Sequence, residues 1–126
     1  MPAPLRSERR FLCSDLVLLR WLGKAQREQQ QTVVLENISA SGACVQSEVA
    51  AVENQRVSII CRRQEFHGRV RSCYFRDDGY FIGIEFDADS KWSKEKYLPE
   101  HLLDPREVKP RRSRGKPLAM QAVFSA

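Results

Sequence analysis

Apolar and polar residues alternate in short runs along most of this chain, and turn-forming residues separate the runs. Alternation with a period of two is typical of β-strands that have one buried and one exposed face. It predicts six strands, at residues 14–23, 31–39, 42–47, 56–63, 65–76 and 80–87. Short strands joined by short turns favour a small antiparallel β-barrel or sandwich.

The alternation also predicts which side chains share a face within each of the last three strands. The residues in phase are Val57, Ile59 and Cys61, then Phe66, Val70 and Tyr74, and finally Tyr80, Ile82, Ile84 and Phe86. Because side chains two residues apart point the same way along a strand, each set outlines one apolar face.

The pattern changes after Asp89. A rough helical stripe predicts a C-terminal helix that is interrupted near Pro99, and its apolar members are Trp92, Tyr97, Leu98, Leu102 and Leu103. The chain therefore divides into three regions: a flexible, arginine-containing arm at 1–12, a barrel plus helix at 13–104, and a basic, disordered tail at 105–126.

Charge is unevenly distributed among these regions. The chain of 126 residues has a formal charge of +5, from 21 basic and 16 acidic residues. Residues 106–126 contain six of the basic residues and one acid, so residues 1–105 are neutral. This distribution disfavours a generally basic nucleic-acid-binding fold, and any contact with nucleic acid or an acidic partner would fall to the tail.

The four cysteines and two histidines do not form a metal-binding pattern. Cys13, Cys44, Cys61 and Cys73 are widely spaced, with no CxxC pair, and each lies in or beside an apolar run. We interpret them as small buried thiols, and we expect no metal or cofactor. Reduced thiols and the lack of a transmembrane pattern predict a cytoplasmic protein without membrane insertion.

Two motifs carry the candidate binding chemistry. Arg6 and Arg10 lie just ahead of the first strand, and Asn37, Ser39 and Gly42 form an N-x-S-x-x-G pattern after the second. If these strands pair as a hairpin, the start of one lies beside the end of the other, and both motifs lie at the same end. Guanidinium groups beside a short amide and a hydroxyl suit a ligand that carries phosphates and purines.

An RxxxR pair followed by [D/N]xSxxG in a chain of six short strands resembles the PilZ domain, a bacterial receptor domain for cyclic di-GMP. The resemblance covers about residues 5–103 and includes a closing hairpin formed by "GRVRSCYF" and "GYFIGIEFD". It implies a six-stranded antiparallel barrel of split-barrel type with a flanking helix. It also implies a role in cytoplasmic second-messenger signalling.

The resemblance identifies the ligand-binding residues by position. Arg6 and Arg10 match the arginines that grip phosphate and guanine, and Asn37 matches the residue that contacts a guanine edge. Ser39 matches the hydroxyl that joins it, and Gly42 matches the glycine that shapes the turn. Arg9 lies between the two arginines and could supply a third cation, although the family pattern does not require it. Asparagine at 37 stands where the family usually has aspartate. The arm is expected to become ordered around the ligand and to signal this change to a protein effector.

Two alternatives to a cyclic di-GMP receptor remain open from the sequence. The chain could be a PilZ-like adaptor that binds no nucleotide and acts through protein–protein contacts. It could also be an inert barrel whose basic tail binds nucleic acid. An enzyme is not expected, because the sequence shows no nucleophile–base pair and no metal cluster.

Overall fold

Six strands account for more than half of residues 8–107, the part of the chain that the computed structural model describes. The strands are β1 (Phe11–Leu22), β2 (Glu28–Ser39), β3 (Gly42–Ser47), β4 (Arg56–Cys61), β5 (Gln64–Arg76) and β6 (Gly79–Phe86). They form a closed antiparallel barrel in the order β1-β2-β3-β6-β5-β4. The prediction of a six-stranded antiparallel barrel is therefore confirmed.

The barrel interior is filled by the apolar residues that alternate along each strand. The fully buried side chains include Leu35, Val45, Ile59, Val70 and Ile82, which come from β2, β3, β4, β5 and β6. The predicted faces of β4 and β6 are buried as expected, although Tyr80 is only half-buried. Burial of these aliphatic side chains is the main favourable contribution to folding.

Three β-bulges interrupt this alternation. They lie between Leu12 and Asp15 in β1, between Leu35 and Asn37 in β2, and between Val70 and Ser72 in β5. A bulge adds one residue to a strand and reverses the facing of the residues that follow. Tyr74 was predicted to share a face with Phe66 and Val70, and this prediction is wrong because the β5 bulge turns Tyr74 outwards, where it is 66% exposed.

The predicted C-terminal helix is not confirmed, because residues 88–107 contain no α-helix, only turns and the short 3₁₀ helices Ala88–Ser90 and Pro105–Glu107. The buried Trp92 of this segment is fixed by tertiary contacts, since its backbone N–H donates to the carbonyl of Ala40 at 2.9 Å and its ring packs edge-on against Phe11. Leu98 is 59% exposed, so the apolar stripe is not continuous. Pro99 lacks a backbone N–H and disfavours helical geometry in the residue before it.

This C-terminal segment packs along β1 instead. Leu12 and Leu103 exchange two backbone hydrogen bonds of 2.7 Å, and Tyr97 Oη donates to Asp15 Oδ2 at 2.5 Å. Burial and the hydrogen bond to Asp15 raise the pKa of the Tyr97 hydroxyl, so the phenol stays protonated. These contacts hold residues 101–103 beside the start of β1.

The four cysteines are all free thiols. The prediction of buried thiols is confirmed for Cys13 and Cys61, whereas Cys44 and Cys73 are half-buried. Burial raises the pKa of the Cys13 and Cys61 thiols to about 12.

We expect Cys13 and Cys61 to resist alkylation in the native protein at about pH 8, because the thiolate is the reactive form. Both should react with iodoacetamide after unfolding in urea, and mass spectrometry of the labelled peptides measures the difference. Labelling of either thiol at the same rate in native and unfolded protein would contradict the burial described here.

Parts of the predicted arm and tail lie outside the described residues. These parts are residues 1–7, which include Arg6, and residues 108–126, which contain most of the predicted basic tail. Within residues 8–107, no helix has the length and apolar character needed to cross a membrane.

Candidate functional site

A groove with a volume of about 1260 Å³ crosses the outer face of the barrel beside the β2–β3 turn. The outward sides of β2, β3, β5 and β6 contribute to it, and residues 101–103 line one side. Three cationic and three anionic residues line it: Arg10, Arg71, Arg76, Glu8, Glu36 and Glu85. The groove therefore offers donors and acceptors that a polar ligand can use.

The two sequence motifs meet at this groove. Arg10 Nη1 donates to Asn37 Oδ1 at 3.1 Å, although the two residues are 27 positions apart in sequence. The pairing of β1 with β2 explains this contact, because Asn37 lies opposite Leu12 in the hairpin. The prediction that the start of β1 lies beside the end of β2 is confirmed, and both Arg10 and Asn37 line the groove.

Ser39 and Gly42 flank the tight turn between β2 and β3. Ser39 is largely buried, and its hydroxyl donates to the carbonyl of Gly42 at 3.4 Å. Gly42 does not adopt a left-handed conformation, but a Cβ placed there would lie 2.5 Å from the backbone oxygen of Ile84 in β6. Gly42 is thus required by the close approach of β3 to β6, and both motif residues border the groove.

The remaining predicted arginines occupy different positions. Arg9 points away from the groove towards the C-terminal segment, where its Nη1 lies 3.2 Å from Asp104 Oδ2. The carboxylate of Asp104 is almost fully buried, and it also accepts the backbone N–H of Arg106 at 2.9 Å. Arg9 therefore joins the start of the chain to the C-terminal segment, and Arg6 lies outside the described residues.

Glu8 brings a carboxylate into the same region. Its Oε1 accepts a hydrogen bond of 2.6 Å from the hydroxyl of Ser41, which lies in the β2–β3 turn. Together with the Arg10–Asn37 bond, this contact holds the residues before β1 against the groove. Polar groups of the two motif regions therefore already form hydrogen bonds with one another in the ligand-free protein.

The pKa values of two groove residues, Glu36 and Cys44, depend on burial and on two nearby arginines. Burial raises the pKa of the Glu36 carboxyl, and the charge of Arg76 partly opposes the shift. Burial and the nearby Glu36 raise the pKa of the Cys44 thiol to about 11, against the lowering effects of Arg10 and Arg76. The Cys44 thiol is therefore neutral at physiological pH.

The β5–β6 hairpin adds aromatic and cationic groups to the groove. The Arg76 guanidinium lies 4.8 Å from the centre of the Phe81 ring, and Arg71 Nε forms an ion pair of 3.1 Å with Glu85 Oε1. Tyr74 lines the same part of the groove with an exposed ring. A flat aromatic ring and a guanidinium plane are both surfaces on which a nucleobase can stack.

Reasoning from sequence missed several of these groove residues, namely Glu8, Glu36, Arg71, Tyr74, Arg76 and Phe81. Glu36 and Arg71 occupy the bulges of β2 and β5, and the period-two pattern does not reveal the facing of a bulged residue. The concentration of arginines in β5 was a visible signal, because Arg71 and Arg76 both line the groove.

Comparison with known proteins assigns no family to the chain, since no protein-family model and no curated protein sequence matches it.

Proposed function

We propose that this chain is a receptor for cyclic di-GMP that binds the dinucleotide in the outer groove. The main support is the 3.1 Å hydrogen bond between Arg10 and Asn37, which joins the two motifs beside a groove of about 1260 Å³. That volume exceeds the range of about 300–1,000 Å³ typical of small-molecule pockets. It suits a ligand with two guanines and two phosphates.

The groove residues divide naturally between the parts of such a ligand. Arg10, with Arg71 or Arg76, offers planar forks of donors that match phosphate oxygens. Asn37 offers an amide to a guanine edge, and the exposed ring of Tyr74 offers a stacking surface. This division is the same as the one that the resemblance to PilZ domains implies for Arg10 and Asn37.

Ligand binding would change the contacts of the residues before β1. Phosphates compete with Asn37 for the Arg10 guanidinium, and they repel the Glu8 carboxylate that accepts a bond from Ser41. Because these contacts differ between the free and bound states, binding would shift the position of residues 8–10. A protein effector in a bacterial signalling pathway would then recognise the altered surface.

Nuclear magnetic resonance titration of the full-length, ¹⁵N-labelled chain with cyclic di-GMP tests the position of the site. We expect saturable shifts at the amides of Ser41, Gly42 and Gly83, which line the groove. The amide of Ile60 in β4, which does not line the groove, serves as the internal reference. Shifts confined to β4, or no shifts at millimolar ligand, would contradict the proposal.

A second candidate function is that of an adaptor that binds no nucleotide. It is favoured by the pairing of groove side chains with one another, as in Arg10–Asn37, Glu8–Ser41 and Arg71–Glu85. An adaptor would act through protein contacts, for which the 63% exposed ring of Phe75 is available. The same titration separates the two functions, because only the receptor responds to the dinucleotide.

A further inference from the structure

The β-bulge in β2 turns two consecutive polar side chains towards the groove. The register of β2 against β3 shifts between Leu35 and Asn37, which leaves Glu36 as the extra residue. Leu35 and Ile38, on either side of the pair, are buried in the core. Glu36 and Asn37 therefore both lie on the outer face, and both line the groove.

The environment of Glu36 is unusual for a surface carboxylate. Its side chain is half-buried, and burial raises the pKa of the carboxyl while the Arg76 charge acts in the opposite direction. The neighbours Leu35 and Ile38 pack in the core. The packing of the barrel therefore does not depend on a carboxylate at position 36. N–H donors that approach a desolvated carboxylate stabilise its charged form.

Guanine is the base whose edge best matches such a group. Its Watson–Crick edge carries two adjacent donors, N1–H and the N2 amino group, and the two oxygens of a carboxylate accept both bonds in parallel. A single amide oxygen accepts less strongly, and Asn37 Oδ1 already accepts from Arg10. Adenine presents an acceptor at N1 instead, which a carboxylate repels.

The geometry points to Glu36 as the residue that selects guanine, by accepting the N1–H and N2–H protons of one base of cyclic di-GMP. Glu36 thus supplies, one residue earlier in the chain, the carboxylate that asparagine at position 37 lacks. Arg10 holds a phosphate of the ligand, Asn37 contacts a guanine edge, and the bulge presents Glu36 to the N1–H and N2–H donors of the base. This assignment rests on the proposed function, because it names the specificity residue of the same groove.

Binding of two ligands that differ only in the N2 amino groups of their bases tests the role of Glu36. Cyclic di-GMP and its inosine analogue, which lacks the N2 amino group, have the same charge, so the ratio of their affinities cancels any effect of charge on the phosphates. Wild type should prefer cyclic di-GMP roughly 10-fold or more, the effect of one charge-assisted hydrogen bond. In Glu36→Gln the preference should fall to about 3-fold or less.

Glu53→Gln is the matched control, because Glu53 is an exposed carboxylate between β3 and β4 and does not line the groove. It should keep the wild-type ratio. Burial disfavours the charged form of Glu36, so Glu36→Gln should melt at the wild-type temperature or above it. Wild type should also fail to bind cyclic di-AMP, and this measurement does not require a variant.

The outcomes separate the two proposals. A wild-type ratio retained in Glu36→Gln, with cyclic di-GMP still bound, would overturn the assignment of Glu36 and leave the receptor function standing. Failure of the wild-type chain to bind any of the three dinucleotides would overturn the receptor function, and the assignment of Glu36 with it.

Discussion

Replacement of Gly42 by alanine is expected to lower the free energy of unfolding by about 2–3 kcal/mol. The added Cβ would lie 2.5 Å from the backbone oxygen of Ile84, a contact that no side-chain rotation relieves. Strands β3 and β6 would have to separate where Gly42 pairs with Glu85 and Ala43 pairs with Ile84. Urea denaturation followed by circular dichroism measures the loss.

Gly83→Ala provides the control for this change. Its added Cβ would lie 2.6 Å from Ser72 Oγ, a side-chain atom that can rotate away, so we expect a loss of less than about 1 kcal/mol. Equal stability of the Gly42→Ala and Gly83→Ala variants would contradict the steric explanation. The expected difference would show that the motif glycine serves the packing of the barrel.

Arg10→Ala is expected to weaken cyclic di-GMP binding roughly 10- to 100-fold, the range expected when one charge-assisted hydrogen-bonding group is lost. The stability of the free protein should change by less than about 1 kcal/mol, because the Arg10–Asn37 hydrogen bond is exposed. Fluorescence competition with a labelled dinucleotide measures the affinities, and thermal denaturation checks the fold.

Arg63→Ala is the matched control for the loss of one positive charge. Arg63 is exposed in the β4–β5 turn and does not line the groove. Its removal should leave affinity within about 2-fold of wild type, because an exposed charge outside the groove would not touch the ligand and is screened by salt. An equal loss of affinity in Arg63→Ala and Arg10→Ala would indicate a nonspecific electrostatic effect and contradict a defined site.

The strands and the meeting of the two motifs could be predicted from the sequence, because both follow from local rules. A period of two places the strands, and hairpin geometry alone brings Arg10 beside Asn37. The side-chain direction of Tyr74 could not be predicted, since it depends on where the extra residue of β5 is inserted.

The conformation of the C-terminal segment also could not be predicted from the sequence pattern. The apolar residues Trp92 and Tyr97 suggested a helical stripe, but they are buried because they pack against Phe11 and Phe66 of the barrel. The Tyr97 hydroxyl reaches Asp15, 82 positions away in sequence, and such a contact carries no local signature. The same limit applies to the bond between Glu8 and Ser41, which are 33 positions apart.

Calorimetric titration of the full-length wild-type chain with cyclic di-GMP at low ionic strength tests the central claim most directly. The claim is that the groove beside the Arg10–Asn37 hydrogen bond binds a cyclic dinucleotide. We predict saturable binding that weakens as salt is added, because the contacts to phosphate are ionic. Absence of binding at about 1 mM ligand would contradict the claim, because a dissociation constant of about 1 mM corresponds to a binding free energy of only about −4 kcal/mol.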